Sequence, residues 1–330
     1  MNTKLPILQS VSDSRARAYR RCPRLEFYQY EQGLIPVPKP EDPRYFGKAF
    51  HAAQEVWWRA EHKRRWQAVR DWLELPLIDG KPAVIDPYTR AHLSSLMLGY
   101  TARWEAEGFE VLAIEKGFEL PLINPHTGHA SKTWKLKGFI DAIVRTASGV
   151  WVVEHKTTAE DIGPGSDYWR HLRIDSQCST YIDAAASVGF DVKGVIYDVT
   201  KKSALRPYKA TPVESRKYTK DGVLYAKQHA TDEPPDEYAS RILTGIQEDP
   251  NKHFQRCEVV RLEGEVEEAQ SDLWMTALAL RESQRSGRFP RNPDGCFKFR
   301  SACDYFDVCT HAASINDPTL FVRRESRATE

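Results

Sequence analysis

Apolar residues recur every three or four positions in the first third of the chain, which is the spacing of one helix face. In the clearest run the apolar positions are Phe46, Phe50, Ala53, Trp57 and Ala60. This pattern predicts a helix over 46–72. Similar spacing predicts a helix over 88–107 with its stop at Gly108, and a short helix and turn over 12–31.

Continuous and alternating apolar runs replace this spacing from Phe109 onward. They predict three strands, over 109–123, 132–146 and 149–158, joined by the turn sequences NPHTGHAS and TASG. The pattern then predicts a helix over 174–188, a strand over 192–202, a long irregular stretch over 204–237, a helix over 236–248, a strand over 254–262 and a helix over 264–287. This order predicts a mixed α/β core with helical additions at both ends.

The composition is that of an ordinary globular protein, with 330 residues of which 41% are hydrophobic and 28% are charged. No apolar run approaches the ~18 residues that a membrane span needs, and the N-terminal residues lack the apolar stretch of a secretory signal. The composition therefore excludes a disordered, collagen-like or membrane-inserted chain. We expect a cytoplasmic protein with no membrane partner.

The net charge of +1 hides an uneven distribution of charge. Residues 1–70 contain 14 Lys and Arg against 7 Asp and Glu, and five of these arginines fall between Arg15 and Arg24 with no acid among them. A second basic stretch runs from Arg281 to Arg300. This asymmetry indicates either an electrostatic face or two solvated helix surfaces.

Two carboxylates and a lysine lie inside otherwise apolar predicted strands. Asp141 is in GFIDAIV, and Glu154 and Lys156 are in WVVEHKTT. Residues two apart share one face of a strand, so Glu154 and Lys156 point to one side and His155 to the other. Because the TASG turn makes these strands hairpin neighbours, Asp141 and Glu154 are expected to meet. Such buried acids favour a divalent cation with oxygen ligands, such as Mg²⁺ or Mn²⁺, although a simple salt bridge also explains the Glu-x-Lys pattern.

Other polar residues fit either a site or a surface. His51, early in the helix over 46–72, is a candidate metal ligand or a packed histidine. Gln177 and Tyr181 lie one helical turn apart and are candidate substrate contacts or a solvated pair.

Taken in order along the chain, G-x-x-x-H, G-x-I-D, E-x-K and Q-x-x-x-Y resemble the PD-(D/E)XK nuclease superfamily, specifically its RecB-type exonuclease branch, which includes CRISPR-associated and AddB-type nucleases. The resemblance implies a restriction-endonuclease-like mixed sheet flanked by helices. It also implies a single nuclease domain over 1–330, with a helical part at 12–108, a catalytic core at 109–200, an extension at 201–290 and a C-terminal segment at 291–330.

The resemblance assigns a role to each matching residue. Mg²⁺ or Mn²⁺ would be held by His51, Asp141, Glu154 and the backbone carbonyl of His155. Lys156 would orient the attacking water, while Gln177 and Tyr181 would form the helix pair of this branch, with Tyr181 also touching DNA. Glu115 resembles an acid on the first core strand of some relatives, and Glu119 fits that position equally. His155 takes a place usually held by an acidic or hydroxyl-bearing residue, and the sequence alone does not explain it.

The six cysteines extend the resemblance. Three of them, Cys296, Cys303 and Cys309, are spaced C-x6-C-x5-C, which in a cytosolic chain favours metal ligands over disulfides. Some members of this branch hold a [4Fe–4S] cluster with one N-terminal and three C-terminal cysteines, and Cys22 in RRCPRLEF matches the N-terminal position. The long gaps favour this cluster over zinc. Cys178 and Cys257 are expected to be buried small apolar residues.

The cluster would tie the chain ends together and bring the two basic stretches side by side. Arg20, Arg21 and Arg24 would then belong to a surface that grips DNA phosphates. We therefore expect a metal-dependent DNA nuclease, exonuclease action being favoured, that serves recombination, repair or phage DNA metabolism in a bacterial or phage-infected cell, with recombination or helicase proteins as possible partners. The alternatives are a non-cleaving DNA-binding or assembly module and an iron–sulfur redox protein.

Overall fold

A six-stranded mixed sheet forms the centre of the computed structural model, which describes residues 9–37, 43–298 and 301–324. The strands are β1 (Gln9–Val11), β2 (Leu34–Pro36), β3 (Leu77–Ile78), β4 (Lys81–Pro82), β5 (Glu110–Ile123), β6 (Ala130–Thr146), β7 (Gly149–Thr158), β8 (Val195–Lys201), β9 (Phe254–Val259), β10 (Phe297–Lys298), β11 (Ser301–Ala302) and β12 (Phe321–Arg323). The sheet contains β1 and β5–β9, and the other strands form two-stranded pairs.

Helices cover both faces of this sheet. They are α1 (Asp13–Arg21), α2 (Pro23–Glu26), α3 (Pro43–Arg59), α4 (Arg65–Glu74), α5 (Pro87–Trp104), α6 (Asp167–Arg173), α7 (Ser176–Ser187), α8 (Pro235–Glu248), α9 (Glu263–Ser286) and α10 (Phe306–Cys309). One core packs α3, α4, α5 and α8 against one face of the sheet, and a second packs α1, α7 and α9 against the other. Within the described ranges no helix is both long and apolar enough to cross a membrane.

The strand pairing changes along β6 in a way that opens the sheet beside Asp141. β6 runs antiparallel to both β5 and β7, and β8 is parallel to β7 and antiparallel to β9. The β6–β7 ladder covers only the last part of β6, and the short strand β1 pairs in parallel with the earlier part, at 134–136. β6 therefore has different neighbours on either side of Asp141, and this change opens the sheet there.

The predicted mixed α/β core with helices at both ends is confirmed, and the long predicted elements correspond to observed ones. The helix predicted over 46–72 is wrong as a single element, because the chain breaks at Glu61, whose extended backbone separates α3 from α4. The break lets α4 fold back beside α3, where the Arg65 guanidinium lies 3.9 Å from the ring centre of Trp57. The next predicted helix ends at Trp104, four positions before Gly108.

A third, smaller core joins the two ends of the chain. β12 pairs antiparallel with β2, and Tyr28 stacks on Tyr305, which stacks in turn on Phe321. The π-helical turn over Phe27–Glu31 supplies Tyr28. The sequence pattern did not predict β1, α6 or these short terminal strands, because each element is too short to show a periodic pattern.

Candidate active site

Asp141 and Glu154 meet at the open end of the β6–β7 hairpin. The register that pairs Ala142 with Val153 places these two acids opposite each other at the next step. The backbone N–H of His155 donates to Asp141 Oδ2 at 2.9 Å. The predicted meeting of the two carboxylates is therefore what the pairing produces.

Two further side chains converge on Asp141 from neighbouring elements. His51 on α3 places Nε2 3.2 Å from Asp141 Oδ2. One ligand atom from each of His51, Glu115 and Asp141 lies within 4.8 Å of the other two. These three side chains come from a helix and two adjacent strands, which is why no local sequence motif joins them.

The backbone of Glu115 is unusual for a residue inside a strand. Its φ of +49° is in the left-handed region, and the β5–β6 ladder has a register irregularity two residues earlier, between Val111 and Ala113. Left-handed backbone at a residue other than glycine costs about 1–3 kcal/mol, and it recurs at sites where it directs a side chain. Glu119, the other acid considered on this strand, instead forms an exposed ion pair with Lys135.

Lys156 is held between strand β7 and helix α7. Its Nζ donates to Glu154 Oε1 and, at 2.7 Å, to Gln177 Oε1. The Gln177 amide nitrogen donates to Glu154 Oε1 at 2.9 Å and to the Tyr181 hydroxyl at 2.7 Å. The helix is positioned by Asp175, whose side chain caps its first turn at the N–H of Gln177. Lys156, Gln177 and Tyr181, all three of them predicted site residues, thus lie in one network with Glu154.

The second carboxylate oxygen of Glu154 has no partner. Oε1 accepts the bonds from Lys156 and Gln177, whereas Oε2 is buried and has no hydrogen-bond partner among the described residues. A buried carboxylate oxygen in this state carries a desolvation cost unless a cation or donor offsets it. This orphaned oxygen indicates a place for a further positively charged group.

The ionisation of these groups reflects an excess of negative charge. Burial and the charge of Asp141 raise the pKa of Glu154 above its usual range, and the same two causes raise the pKa of Glu115 to about 7. Burial opposes the ionised form of Asp141, but its hydrogen bond with His51 and the charge of that ring lower its pKa. Burial also opposes the charged form of Lys156, yet Glu154 raises its pKa, so that it stays an ammonium.

The donor set fits a divalent metal. Two carboxylates, Glu115 and Asp141, and the imidazole of His51 gather their ligand atoms within 4.8 Å of one another, and oxygen donors with a histidine are ligands that Mn²⁺ and Mg²⁺ accept. The unpartnered Glu154 Oε2 provides an oxygen that such an ion would satisfy. The residues present therefore fit the implied Mg²⁺ or Mn²⁺.

His155 points to the opposite face of the sheet, where it enters a buried network that the sequence did not suggest. Its Nδ1 lies 3.1 Å from Asp198 Oδ2 on β8, and Asp198 also accepts the Tyr100 hydroxyl. Arg256 on β9 pairs with the same carboxylate, and its guanidinium lies 3.9 Å from the ring centre of Trp104. One sequence signal could have predicted this network. Asp198 in VIYDVT is a single acid inside an apolar strand sequence, as Asp141 is in GFIDAIV.

A cleft opens beside Lys156. It has a volume of about 860 Å³, and its lining includes Lys156, Gln177 and Tyr181 together with Lys137 and Phe139 of β6. The start of α1 forms another part of its wall, including Arg17, which is paired with Asp13 and Asp175. The cleft is therefore large enough for a polymeric substrate to reach the lysine.

Four of the six cysteines line a second, small cavity between the two ends of the chain. They are Cys22, Cys296, Cys303 and Cys309. The N–H of Cys303 donates to the carbonyl of Cys296 at 2.7 Å, and the N–H of Asn292 donates to Cys22 Sγ at 3.4 Å. Within the described ranges, no three cysteine sulfurs lie within 4.8 Å of one another.

The remaining cysteines are apart from this cavity. Cys178 is fully buried, as expected, and its thiol faces the carbonyl of Val259 at 3.8 Å. Cys257 on the edge strand β9 is only partly buried, so its predicted burial is wrong. The reason is that the edge strand carries less cover on its open side.

The three arginines expected to grip DNA differ in their surroundings. Arg20 is exposed on α1. Arg21 donates to the carbonyl of Gly295 at 2.8 and 3.0 Å, and Arg24 donates to that of Phe289 at 2.8 Å. These bonds bring the two basic stretches together, and they leave Arg20 as the arginine most open to a partner.

Comparison with known proteins gives one broad match. The family model of the PD-(D/E)XK nuclease superfamily matches residues 10–310, most of the chain. No curated protein matches the sequence. A solved structure described as "Crystal structure of SSO0001" shares 13% sequence identity, over 81% of this chain and 75% of that chain, with a TM-score of 0.31.

Proposed function

The chain belongs to the PD-(D/E)XK nuclease superfamily, and from that premise we propose that it is a Mg²⁺- or Mn²⁺-dependent deoxyribonuclease, with exonuclease action favoured. The observation that carries the proposal is the cluster of His51, Glu115 and Asp141, whose ligand atoms lie within 4.8 Å of one another beside the buried carboxylate of Glu154. Buried carboxylates that lie close together cost free energy when no cation is bound, and a divalent cation offsets this cost.

The proposed metal ligands are His51, Asp141, Glu154, Glu115 and the backbone carbonyl of His155. When bound, a divalent cation would neutralise charge on the phosphodiester and make an attacking water more acidic. The chain contributes by holding these donors rigidly. The N–H of His155 and the ring of His51 both contact Asp141 Oδ2, and His51, whose pKa is raised to about 9 against the opposing effect of burial by its hydrogen bond with Asp141, would release its proton when its Nε2 binds the cation.

Lys156 is the proposed catalytic residue that orients the attacking water. Its ammonium stays charged beside Glu154, so it acts by donating hydrogen bonds and stabilising negative charge that develops on the phosphate, rather than by accepting a proton. Gln177 holds Lys156 and Tyr181 at fixed positions. This explains why both Gln177 and Tyr181 are proposed to support catalysis, with Tyr181 also lining the DNA cleft.

The first test uses end-labelled linear DNA and closed circular DNA in Mn²⁺, Mg²⁺ or EDTA. Wild type is compared with Lys156→Ala and with a matched control, Lys132→Ala, which alters an exposed lysine of β6 outside the cleft. Metal-dependent loss of linear DNA alone, abolished only by Lys156→Ala, supports an exonuclease. Cleavage of circles would make the protein an endonuclease. Binding without any cleavage would favour the non-cleaving module.

We further propose that Cys22, Cys296, Cys303 and Cys309 hold a [4Fe–4S] cluster and that the protein belongs to the RecB-type branch. Support comes from their shared cavity and from the long sequence gaps between the three C-terminal cysteines. The cluster would tie α1 to the C-terminal segment and carry the basic surface that includes Arg20. Anaerobically purified protein should contain about four irons and four sulfides per chain. One zinc and no sulfide would refute the cluster.

The cellular context of this activity is a further proposal. A nuclease that consumes DNA ends would serve recombination, repair or phage DNA metabolism in the cytoplasm of a bacterial or phage-infected cell, alongside recombination or helicase proteins. The accumulation of linear DNA after deletion of the gene would support this role. A redox function would instead require reversible reduction of the cluster coupled to a substrate.

A further inference from the structure

Phe139 is an exposed aromatic residue in the wall of the active-site cleft. It lies on β6 two residues before Asp141, and 54% of its surface is accessible. The same cleft contains Lys156, Gln177 and Tyr181. Single exposed apolar residues are common on protein surfaces, so exposure alone means little. The ring of Phe139 shares its cleft with the proposed catalytic lysine, Lys156, and this position makes it a candidate substrate contact.

The ring of Phe139 rests on a glycine of the neighbouring strand. Gly117 is opposite Phe139 in the β5–β6 ladder, and a Cβ added to Gly117 would lie 3.3 Å from the ring. The next pair repeats the arrangement with Phe118 over Gly138, but Phe118 is buried and lies edge-on against Tyr181. The ring of Phe118 therefore packs in the core, whereas the ring of Phe139 is exposed in the cleft.

The wall beside Phe139 carries charged groups, among them Glu119, which lies opposite Lys137 in the β5–β6 ladder but forms its ion pair with Lys135. Lys137, also on β6, is exposed in the cleft, and no carboxylate of the described residues pairs with it. The cleft thus combines an aromatic ring, a neighbouring lysine and, farther in, the ammonium of Lys156. Proteins that hold single-stranded nucleic acids use this combination, with aromatic rings stacking on bases and cations following the phosphates.

We propose that Phe139 stacks on an unpaired base of the DNA strand that enters the cleft, while Lys137 contacts its phosphate. This rests on the proposed function and adds its substrate class, which is single-stranded DNA or a duplex with an unpaired end. A base within an intact duplex has both faces covered by its neighbours, so the ring cannot reach it unless the strand is opened. Phe139 is therefore a specificity-determining residue.

The test measures binding separately from cleavage. A single-stranded oligonucleotide containing 2-aminopurine and a blunt duplex of the same sequence are titrated with Lys156→Ala protein in Mn²⁺, and with the same protein carrying Phe139→Leu or Phe139→Tyr. Stacking quenches 2-aminopurine fluorescence. Phe139→Leu should weaken single-strand binding by about 5- to 100-fold and reduce the quenching, whereas Phe139→Tyr should retain both. Duplex binding should change by less than about twofold.

Three outcomes would overturn the inference. These are unchanged single-strand affinity in Phe139→Leu, an equal loss for single strand and duplex, or no single-strand binding before substitution. Matching thermal unfolding midpoints for the Leu and Tyr variants show that a loss of binding is not a loss of folding. Failure of the proposed function is distinguishable, because a wild type that cleaves no DNA refutes the nuclease while the binding series still judges Phe139.

Discussion

His155 and Asp198 lie opposite each other on the parallel strands β7 and β8, with 3.1 Å between Nδ1 and Oδ2. The backbone N–H of the same histidine donates to Asp141 on the other side of the strand. His155 therefore connects the proposed metal site to the buried carboxylate of Asp198. This contact gives a structural reason for a histidine between Glu154 and Lys156.

Replacing Asp198 with Asn should destabilise the protein by about 3 kcal/mol, because the buried Arg256 would lose one of its two carboxylate partners and keep only Glu107. Asp198 is fully buried, and although burial alone would raise its pKa, Arg256 and His155 lower it, so the native group is ionised. Urea unfolding measures the loss. Asp191→Asn, at an exposed acid just before β8, should change stability by less than about 0.5 kcal/mol. Equal effects of the two variants would contradict a paired buried charge.

Removing the metal should lower thermal stability in a way that depends on Asp141. A cation that binds only the folded state adds about 2.7 kcal/mol at a concentration 100-fold above its Kd, so Mn²⁺ should raise the unfolding midpoint and EDTA should reverse the rise. Asp141→Asn should abolish this shift, whereas Glu119→Gln, outside the cluster, should keep it. A full Mn²⁺ shift in Asp141→Asn would show that the ion binds elsewhere.

Glu115 offers a test that separates strain from chemistry. Glycine inside a strand is normally less stable than alanine, but at a φ of +49° the order should reverse, because only glycine adopts this backbone without cost. Glu115→Gly should be more stable than Glu115→Ala by about 1 kcal/mol in denaturant unfolding. Both variants should lose Mn²⁺ affinity equally, since neither keeps the carboxylate. A more stable alanine variant would mean that the left-handed backbone is not maintained in solution.

The sequence predicted those parts of the site that depend on local pattern. Asp141 and Glu154 could be placed together because a short turn joins their strands, and Gln177 and Tyr181 because helical spacing is regular. Asp198 and Arg256 escaped prediction, since their pairing depends on the order of β7, β8 and β9 in the sheet, which no local period encodes. The break at Glu61 was missed for a related reason, namely that Arg65 gains its contact with Trp57 only after the chain folds back.

The meeting of the four cysteines also depends on contacts between distant parts of the chain, which local sequence patterns do not predict. Spacing alone suggested that Cys296, Cys303 and Cys309 act together, but their relation to Cys22 came only from resemblance to a family. In the fold, β2 and β12 pair and Tyr28 stacks on Tyr305, and these contacts bring the distant cysteine to the other three. Packing between the chain ends, rather than sequence spacing, forms this cavity.

His92 should make the stability of the protein fall in mild acid. Its Nε2 accepts the N–H of Ser203 at 3.2 Å, so the native ring is neutral, and burial together with the charge of Lys202 lowers its pKa to about 4. The unfolded chain takes up this proton near pH 6.5, so between pH 6.5 and 4 the unfolded state binds more protons and stability falls as the pH falls. The loss attributable to His92 is on the order of 3 kcal/mol across this window. His92→Gln keeps an acceptor for Ser203 but does not titrate, so the difference in unfolding free energy between wild type and this variant should shift in favour of the variant from pH 7 to pH 4.5. A difference that stays constant over that range would contradict a partly buried histidine that is neutral in the native state.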